Sequence, residues 1–540
     1  MSAQLLTNAR AKLVTAALVA LSCIALLGVA QGGKPTDGGP VPLIVPKATC
    51  GPNDHPETGL QGQVSAALRA SGFHGFNCNL ELVAQSKGDG ANWQTAEYRN
   101  ASGNGNSNGK GNGNKDGTVC AYHGTAFTTA GRTHVGVPVI DITDNSNPTP
   151  TSYLTTISML DPWESLKVNE RRQLLGADNG HNGAGGPEVD IYDLSGDCRS
   201  PQLLGSVAVG KADGSTGIPA SVIGHEGSWA PDGLTYYGGS PGQRIYYAVD
   251  TSDPTAPKLI TTYTNPLPGA LTHGLSISDD GNRAYFATLS IPQPSDVTNP
   301  NFAVTNGVLI ADVSEIQARK PNPQVKLIST IVWRDGSVMQ HTIPVKIEGK
   351  SYVVAVDEGG SGGVTFAGWQ AACAAGLPPF PMARIIDISD EKNPRIVSRL
   401  GLQTHDPANC AAVLPDVVGL AIFTYGSHYC SVDNKDKATT LACGYFNSGI
   451  RVFDIRDPTQ PKEIAYYNPA GTTTPSPGSN HVSIGQWRAG GPDWCNAQVH
   501  LDANNGTLWT TCQDNGLLTL KFTNGAWPFP QSKTPPGEQN

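Results

Sequence analysis

Apolar runs that end in an aspartate recur along the chain. The first is VPVID at 137–141, which is followed by the polar, proline-containing stretch ITDNSNPTP. A nearly continuous apolar run of this length predicts a strand buried on both faces, and the Asn, Ser, Asp and Pro residues after it predict a turn. Similar runs, spaced 52 to 75 residues apart, end at Asp141, Asp193, Asp250, Asp312, Asp387 and Asp454. A recurrence of this kind indicates one structural unit used several times.

Each copy has apolar neighbours of strand length. The stretch KLITTY (258–263) follows one turn, and RAYFATL (283–289) precedes the next apolar run. A seventh copy, GLLTLKFTN at 516–524, has Lys521 where the others have aspartate. Four short antiparallel strands per unit and seven units predict an all-β chain, a seven-bladed β-propeller. The aspartates are then turn-formers that accept backbone N–H groups.

The ends of the repeat region predict how the ring closes. The seventh unit ends without a clear fourth strand, whereas NLELVAQS (79–86) stands alone before the first unit. We therefore expect this N-terminal strand to complete the last blade. The stretches VPVID, VLIAD, RIID and IRVFD resemble the motif of the bacterial LVIVD-repeat family over about residues 79–524. That resemblance implies a β-propeller and brings no settled biochemistry with it.

The N-terminus is typical of an export signal. Arg10 and Lys12 precede an apolar stretch at 13–30 that ends in the small residues Gly-Val-Ala. This pattern predicts a signal peptide over 1–30, with an uncleaved anchor as the alternative. The expected organisation is a signal peptide (1–30), an N-terminal extension (31–78), a seven-bladed propeller (79–524) and a C-terminal tail (525–540). The expected destination is the periplasm, the cell surface or the medium, with no membrane span after cleavage.

Charge and cysteine content narrow the possible partners. Removing Arg10 and Lys12 with the signal leaves 34 basic residues against 45 acidic ones, a net charge near −11. No basic cluster is present, so nucleic acid and anionic lipid are excluded as expected partners, and a monomer is expected. Ten cysteines remain after Cys23 is removed, and no CxxC occurs. An even count in an exported chain predicts disulfides, and the pairs 430/443 and 495/512 are suggested by their proximity.

Candidate chemistry lies on the innermost strand of the repeat. His225, His273 and His341 each precede a turn glycine by eight residues, which places them at the start of three consecutive innermost strands. Imidazoles that converge at one mouth of a channel suit a transition metal such as iron, copper, manganese or zinc. His405 and His481 are tentative further ligands. Glu226 alternates to the other strand face and is not expected to be a ligand.

The remaining histidines are expected to be structural or exposed: His123, His181, His428 and His500. His225, His273 and His341 have an alternative interpretation as well. They could be structural hydrogen-bonding groups that recur only because the repeat recurs. Trp163 takes the equivalent position in the second blade, where it could form an apolar wall. Four inward-pointing histidines on a propeller axis resemble the arrangement in carotenoid-cleaving oxygenases. Histidine-rich sites also occur in copper-dependent methanethiol oxidases related to selenium-binding proteins.

Two functions are compatible with these features. The first is an exported propeller that binds a protein, glycan or small-molecule ligand at its loop-rich face. The alternative is a metal-dependent enzyme of oxidase, oxygenase or lyase type, with a histidine-bound metal at the mouth of the central channel. No nucleophile elbow, P-loop or dinucleotide fingerprint occurs, which argues against serine hydrolase chemistry and nucleotide cofactors.

Overall fold

The computed structural model describes residues 41–100, 117–126, 130–180, 187–210, 218–219, 224–239 and 244–530. The predicted signal peptide, His181 and the end of the predicted tail lie outside these ranges. Within them the chain is mostly strand, as the sequence predicts. No helix in the described ranges combines the length and the apolar character that a membrane crossing needs.

Thirty strands make up the described structure. They are β1 (Phe76–Cys78), β2 (Leu80–Ser86), β3 (Thr95–Arg99), β4 (Val119–His123), β5 (Val137–Asp141), β6 (Thr149–Leu154), β7 (Lys167–Asn169), β8 (Leu174–Asp178), β9 (Pro187–Asp193), β10 (Gln202–Gly210), β11 (Ile218–Pro219), β12 (Glu226–Trp229), β13 (Thr235–Gly239), β14 (Ile245–Asp250), β15 (Lys258–Thr264), β16 (Leu271–Ile277), β17 (Arg283–Leu289), β18 (Gly307–Asp312), β19 (Lys326–Val332), β20 (Ser337–Ile347), β21 (Lys350–Gly359), β22 (Ala383–Asp387), β23 (Arg395–Arg399), β24 (Cys430–Val432), β25 (Thr440–Gly444), β26 (Ile450–Asp454), β27 (Lys462–Asn468), β28 (His500–Asp502), β29 (Thr507–Cys512) and β30 (Gly516–Phe522).

Helices are short and lie between the strands. The α-helices are α1 (Ala66–Ser71), α2 (Ile157–Leu160), α3 (Ser314–Gln317), α4 (Phe366–Ala374), α5 (Cys410–Val413) and α6 (Asn480–Ser483). Single 3-10 turns occur at Pro294–Asp296, Gln403–His405, Pro407–Asn409 and Leu414–Val417.

The strands form seven antiparallel sheets, the blades of a seven-bladed propeller. Blades one to five are β3–β6, β7–β10, β12–β15, β16–β19 and β20–β23, and in each the strands pair in chain order. Blades six and seven are β24–β27 and β28–β30, and each gains an outer strand from the N-terminal part of the chain. β2 pairs with β30, with Leu80 opposite Phe522, so the predicted closure of the ring by the N-terminal strand is confirmed. β1, which lies in the predicted extension, adds a fifth strand to blade six.

The recurring aspartates are turn-formers, as predicted. Each ends the third strand of its blade, and its Oδ1 accepts the backbone N–H two residues later at 2.9 to 3.1 Å. The third strands themselves are almost completely buried, as in VPVID, where only the aspartate is partly exposed. Sandwiching between neighbouring blades therefore accounts for the apolar runs.

The hydrophobic core is divided among the seven interfaces between blades. Each interface has its own cluster of buried residues, such as Val139 with Leu175 between blades one and two, and Ala121 with Trp509 between blades seven and one. The other five interfaces have equivalent clusters. Burying one such aliphatic side chain contributes about 1.5–3 kcal/mol. Because blade seven packs on blade one in this way, hydrophobic burial closes the ring together with the β2–β30 pairing.

Five disulfides involve all ten cysteines that follow the predicted signal. They join Cys50 to Cys78, Cys120 to Cys198, Cys373 to Cys410, Cys430 to Cys443 and Cys495 to Cys512. The two pairs suggested by sequence proximity are thus confirmed. Five disulfides fit an oxidising environment.

Candidate metal centre

The first strands of all seven blades surround one central channel. Residues of β3, β7, β12, β16, β20, β24 and β28 line a cavity of about 620 Å³. These strands start at the same end of the channel, which brings the residues just before or early in each strand close together. The repeat register in the sequence predicts His225, His273 and His341 at this end of the channel.

Five side chains meet at this end of the channel, and we call them the channel-end cluster: Glu164, His225, His273, Glu358 and His428. Oε2 of Glu164 lies 2.8 Å from Nε2 of His225 and 3.2 Å from Nε2 of His273. Oε1 of the same carboxylate lies 2.9 Å from Nε2 of His428, which is also 3.3 Å from Oε1 of Glu358. One carboxylate is therefore the common partner of three imidazoles from three other blades.

The propeller positions these groups through its strand starts. Glu164 lies three residues before β7, and its backbone N–H donates to the carbonyl of His225 at 3.1 Å, so blade two docks on blade three here. His225 directly precedes β12, and His273 is the third residue of β16. His428 lies just before β24. Glu358 is near the end of the antiparallel second strand β21, at the same end of the channel.

Two of the imidazoles are held so that Nε2 faces the carboxylates. Nδ1 of His273 lies 3.0 Å from the carbonyl oxygen of Met339, and Nδ1 of His428 lies 2.8 Å from that of Asn496. A carbonyl oxygen only accepts, so each Nδ1 carries a hydrogen and each neutral ring presents a lone pair at Nε2. A backbone carbonyl on the second nitrogen is the usual way in which proteins orient a metal-binding histidine.

Lone pairs that face carboxylate oxygens need a cation between them. A neutral Nε2 and a carboxylate oxygen are both acceptors, so either a proton or a metal ion must bridge each contact. Nε2 of His428 is fully buried and makes no well-aligned hydrogen bond to any described residue, although Oε1 of Glu164 is 2.9 Å away. The donor set of imidazoles and carboxylates fits a transition metal ion.

Electrostatics support the same interpretation. Burial acts to raise the pKa of Glu164, but the charge of His225 and the contacts with His273 and His428 prevail and hold it well below its ordinary value. Burial acts to lower the pKa of His428, but Glu164 and Glu358 raise it to about 10. The pKa of His273 is also raised, by Glu164 against the effect of burial, whereas burial lowers the pKa of His225. Without a metal ion, the cluster binds protons in its place.

An aromatic shell surrounds the channel-end cluster. Ring centroids of Trp93 and His428 are 5.3 Å apart, and Phe446 lies 5.2 Å from His428 on another side. Trp163, predicted as an apolar wall, lies 5.3 Å from His225. Side-chain exposure is 18% for His225 and 1% for Glu164. The site is thus a low-dielectric pocket in which charge interactions are strong, and solvent reaches it at His225.

The structure places His341 apart from this cluster. Its ring stacks on Tyr429 with centroids 4.5 Å apart, and its Nε2 accepts the backbone N–H of Cys430 at 3.4 Å. It lines the channel itself, and its buried Nδ1 has no hydrogen-bond partner among the described residues. Of the three histidines in sequence register, His225 and His273 meet on Glu164, and His341 does not.

The two tentative ligands also lie elsewhere. His405 faces the carbonyl of Pro381 through Nε2 at 2.8 Å, and its Nδ1 accepts the N–H of Leu402 at 2.9 Å, so it has no lone pair left for a metal. His481 contacts Asp514 through Nδ1 at 2.7 Å, near Asp493, in a separate buried cluster.

Sequence reasoning missed three members of the channel-end cluster. His428 is predicted to be structural or exposed, and the structure shows that it is not exposed, because its ring is buried against Glu164 and Glu358. It precedes its strand by two residues, and a 3-10-rich insertion separates it from the repeat register. Glu164, next to Trp163, had a usable signal, because Trp163 already marked the corresponding position in blade two. Glu226, excluded as a ligand, accepts from Nε2 of Gln340 at 3.3 Å and lies outside the cluster.

Comparisons with known proteins address the fold. No protein-family model matches the chain, and no curated protein sequence does, so membership of the LVIVD-repeat family stays a prediction. A Bacteroides uniformis protein provisionally assigned as a 6-phosphogluconolactonase is 13% identical (TM-score 0.48), over 76% of this chain and 93% of that one. Kuenenia stuttgartiensis hydrazine synthase is 11% identical (TM-score 0.46; 82% and 97%). The Cps50 (Swd1) β-propeller domain of Myceliophteria thermophila is 9% identical (TM-score 0.45; 82% and 100%). No activity transfers from them.

Proposed function

We propose that the protein is a metal-dependent enzyme whose metal ion is bound by the channel-end cluster. The observation that carries this proposal is the convergence of three imidazole Nε2 atoms, from blades three, four and six, on the buried carboxylate of Glu164 at 2.8 to 3.2 Å. A six-coordinate ion such as iron or manganese keeps positions for substrate or solvent beyond these four protein donors. Iron, manganese, copper and zinc all accept such ligands.

The position of the cluster supports a catalytic role. A cavity of about 620 Å³, a volume in the range of small-molecule sites, lies next to the cluster, and Glu226, the residue after His225, lines it. The five cluster residues themselves do not line this cavity. Ligands drawn from different blades are held by the whole ring, so the site is as rigid as the propeller. Oxidase, oxygenase or lyase chemistry would use the open positions of the metal, and the substrate would approach at His225, whose side chain is 18% exposed.

Metal analysis of the purified full chain tests the proposal. Metal-stripped protein is incubated with Mn²⁺ or Zn²⁺, freed of unbound ion and measured by mass spectrometry. We expect stoichiometric metal in the wild type and a loss of at least tenfold in affinity in His273→Ala. A wild type that retains no metal would contradict the proposal. A His273→Ala variant that binds as much metal as the wild type, with the same affinity, would contradict the ligand set.

A matched control separates loss of a ligand from loss of a buried ring. His123 is also buried, and its Nδ1 contacts the carbonyl of Gly124 at 3.0 Å. His123→Ala removes a ring of the same size and should bind metal as the wild type does. Circular dichroism and thermal unfolding show whether both variants are folded.

A second candidate function is that of a ligand-binding propeller without chemistry. His341 favours it, because this buried imidazole lines the channel with an unpartnered Nδ1 among the described residues. In that case a protein, glycan or small-molecule ligand would occupy the channel or the face, and metal would not be needed. Ligand binding that is unchanged after metal removal would favour this function over the enzyme.

We further propose that the chain is exported and belongs with the LVIVD-repeat proteins. Five disulfides and the basic-apolar N-terminus support export. Under this proposal the 1–30 segment is removed and 31–78, 79–524 and 525–540 form the extension, propeller and tail. Cell fractionation with N-terminal sequencing of the mature protein tests it. Protein found only inside the cell with free thiols would contradict it.

A further inference from the structure

Glu164 divides its partners between its two oxygens. Oε2 faces His225 and His273, whereas Oε1 faces His428, which also contacts Glu358. The potential ligand atoms fall into two sets, each within 4.8 Å internally: Glu164, His225 and His273 form one, and Glu164, Glu358 and His428 form the other. Glu164 alone belongs to both sets.

A single ion does not account for this division. A metal ion about 2.1 Å from each nitrogen ligand keeps its ligand atoms within about 4.2 Å of one another. The three ligand atoms of each set lie within 4.8 Å of one another, close to this limit, whereas the five atoms together do not. A carboxylate with separate ligands on each oxygen is the arrangement that bridges two ions in two-metal sites.

We infer, resting on the metal-dependent function proposed above, that the channel-end cluster is a dinuclear metal site in which Glu164 bridges the two ions. His225 and His273 complete the first position, and Glu358 and His428 complete the second. Nε2 of His428, fully buried and facing Oε1 of Glu164 at 2.9 Å and Oε1 of Glu358 at 3.3 Å, marks the second position. Its Nδ1 contact with Asn496 holds that ring in place.

The net charge of the proposed dinuclear site indicates which kind of ligand it would bind. The two carboxylates neutralise two of the four positive charges that a pair of divalent ions brings. The remaining charge, in a pocket walled by aromatic rings, favours an additional anionic ligand from solution. The substrate class that fits is therefore a small molecule with an anionic oxygen donor, able to reach the cluster at His225, whose side chain is 18% exposed.

Manganese titration of the metal-stripped full chain tests the dinuclear site. We expect two Mn²⁺ per chain by mass spectrometry and an exchange-coupled electron paramagnetic resonance spectrum in place of the six-line signal of an isolated ion. One ion per chain, or two ions that show no coupling, would overturn the dinuclear inference and leave the proposed function standing. No bound ion would overturn both.

Variants assign the two positions. Glu358→Gln keeps the shape of the side chain and weakens the second position, so we expect one tightly bound ion and a six-line spectrum. His273→Ala weakens the first position and should also leave one. The exposed His134, whose ring stacks on Tyr153 at 4.1 Å, supplies the control His134→Ala, which should keep two coupled ions. Two coupled ions in Glu358→Gln would overturn the assignment of the second position.

Discussion

Two buried clusters in this propeller each contain two carboxylates and at least one histidine, yet their chemistry differs. In the channel-end cluster, the described backbone amides make no hydrogen bond to the carboxylate of Glu164, whose partners are imidazoles. In the second cluster, which we call the Asp493 cluster (His481, Asp493, Asp514 and Asn515), the carboxylate of Asp493 accepts backbone N–H groups at 2.7 to 3.0 Å from Trp494, Asp514 and Asn515. It also accepts from Nδ2 of Asn515 at 2.9 Å.

The difference shows what separates a ligand set from a structural network. Oxygens that already accept several N–H groups have their lone pairs occupied, and binding a metal would cost those hydrogen bonds. Oxygens that face only imidazole lone pairs gain a partner when a cation arrives. Both clusters place histidines close to carboxylates, so this proximity does not identify a metal site. What identifies it is whether the carboxylate oxygens contact backbone N–H groups or imidazole nitrogens.

The largest expected effect is the loss of stability when the Asp493 cluster is disrupted by substitution of Asp493. Asp493→Ala leaves the backbone N–H groups of Trp494, Asp514 and Asn515 without their acceptor, so we expect the free energy of unfolding to fall by about 3–5 kcal/mol. Urea unfolding followed by circular dichroism measures this change. Metal content should remain that of the wild type at temperatures where the variant is folded. A folded Asp493→Ala protein that loses its metal would mean that the two clusters do not differ in the way described.

The second largest effect is a pH dependence of the free energy of unfolding caused by His405. Both ring nitrogens of this histidine have hydrogen-bond partners, so it is not available as a metal ligand. Burial lowers the pKa of His405 to about 4, against contacts with Pro381 and Leu402 that act to raise it. Because the folded-state pKa lies below the unfolded value of about 6.5, the unfolded chain binds the extra proton first, and stability falls as the pH drops from about 6.5 to 4. The shift corresponds to about 3 kcal/mol, fully present above pH 6.5.

Comparison of variants isolates this contribution. Urea midpoints between pH 7 and pH 4 should decline less steeply in His405→Gln than in the wild type, and added Mn²⁺ should not alter the difference. Equal slopes for the two proteins would show that His405 is not the buried neutral group described.

The fold was predictable because its signals are local and repeated. Each aspartate at the end of a third strand accepts from its own turn two residues on, and each apolar run is explained by burial between blades. The closure by β2 followed from a missing fourth strand in the seventh unit. Such features depend on residues that are close in sequence, so they can be predicted from a single amino-acid sequence.

The candidate site was predictable only in part, because it is assembled across blades. His225 and His273 keep the repeat register, and the structure brings them together. His341 keeps the same spacing but begins its strand earlier, at Ser337, so it sits deeper in the channel on Tyr429. His428 comes from a segment outside the repeat pattern, and Glu164 lies one residue after Trp163, which occupies the register position in blade two. Which nitrogen of each ring is held by a carbonyl depends on partners as distant in sequence as Met339 and Asn496.

A metal-dependent change in stability is the next effect in size. An ion that binds only the folded chain stabilises it by about 2.7 kcal/mol at 100 times its dissociation constant. We expect Mn²⁺ to raise the thermal midpoint of the wild type and of His123→Ala, and to leave that of Glu164→Gln unchanged. Differential scanning calorimetry of the metal-stripped proteins measures these shifts. A full shift in Glu164→Gln would remove the bridging carboxylate from the ligand set.

The smallest effect extends the comparison to the repeated turns. Asp141 and Asp454 accept N–H groups as Asp493 does, but from one local turn each, at 2.9 and 3.1 Å. Replacing Asp141 by alanine should cost about 1 kcal/mol, because a turn N–H near solvent finds water as a substitute. Asp454 is buried and also accepts from Nε and Nη2 of Arg456 at 3.0 and 2.7 Å, so Asp454→Ala should cost more. Urea midpoints compare the two variants. If equal losses were found, burial of the carboxylate and its additional donors would not be what makes the Asp493 network stronger than a turn. The distinction between the clusters would then have to rest on the number of backbone N–H donors alone.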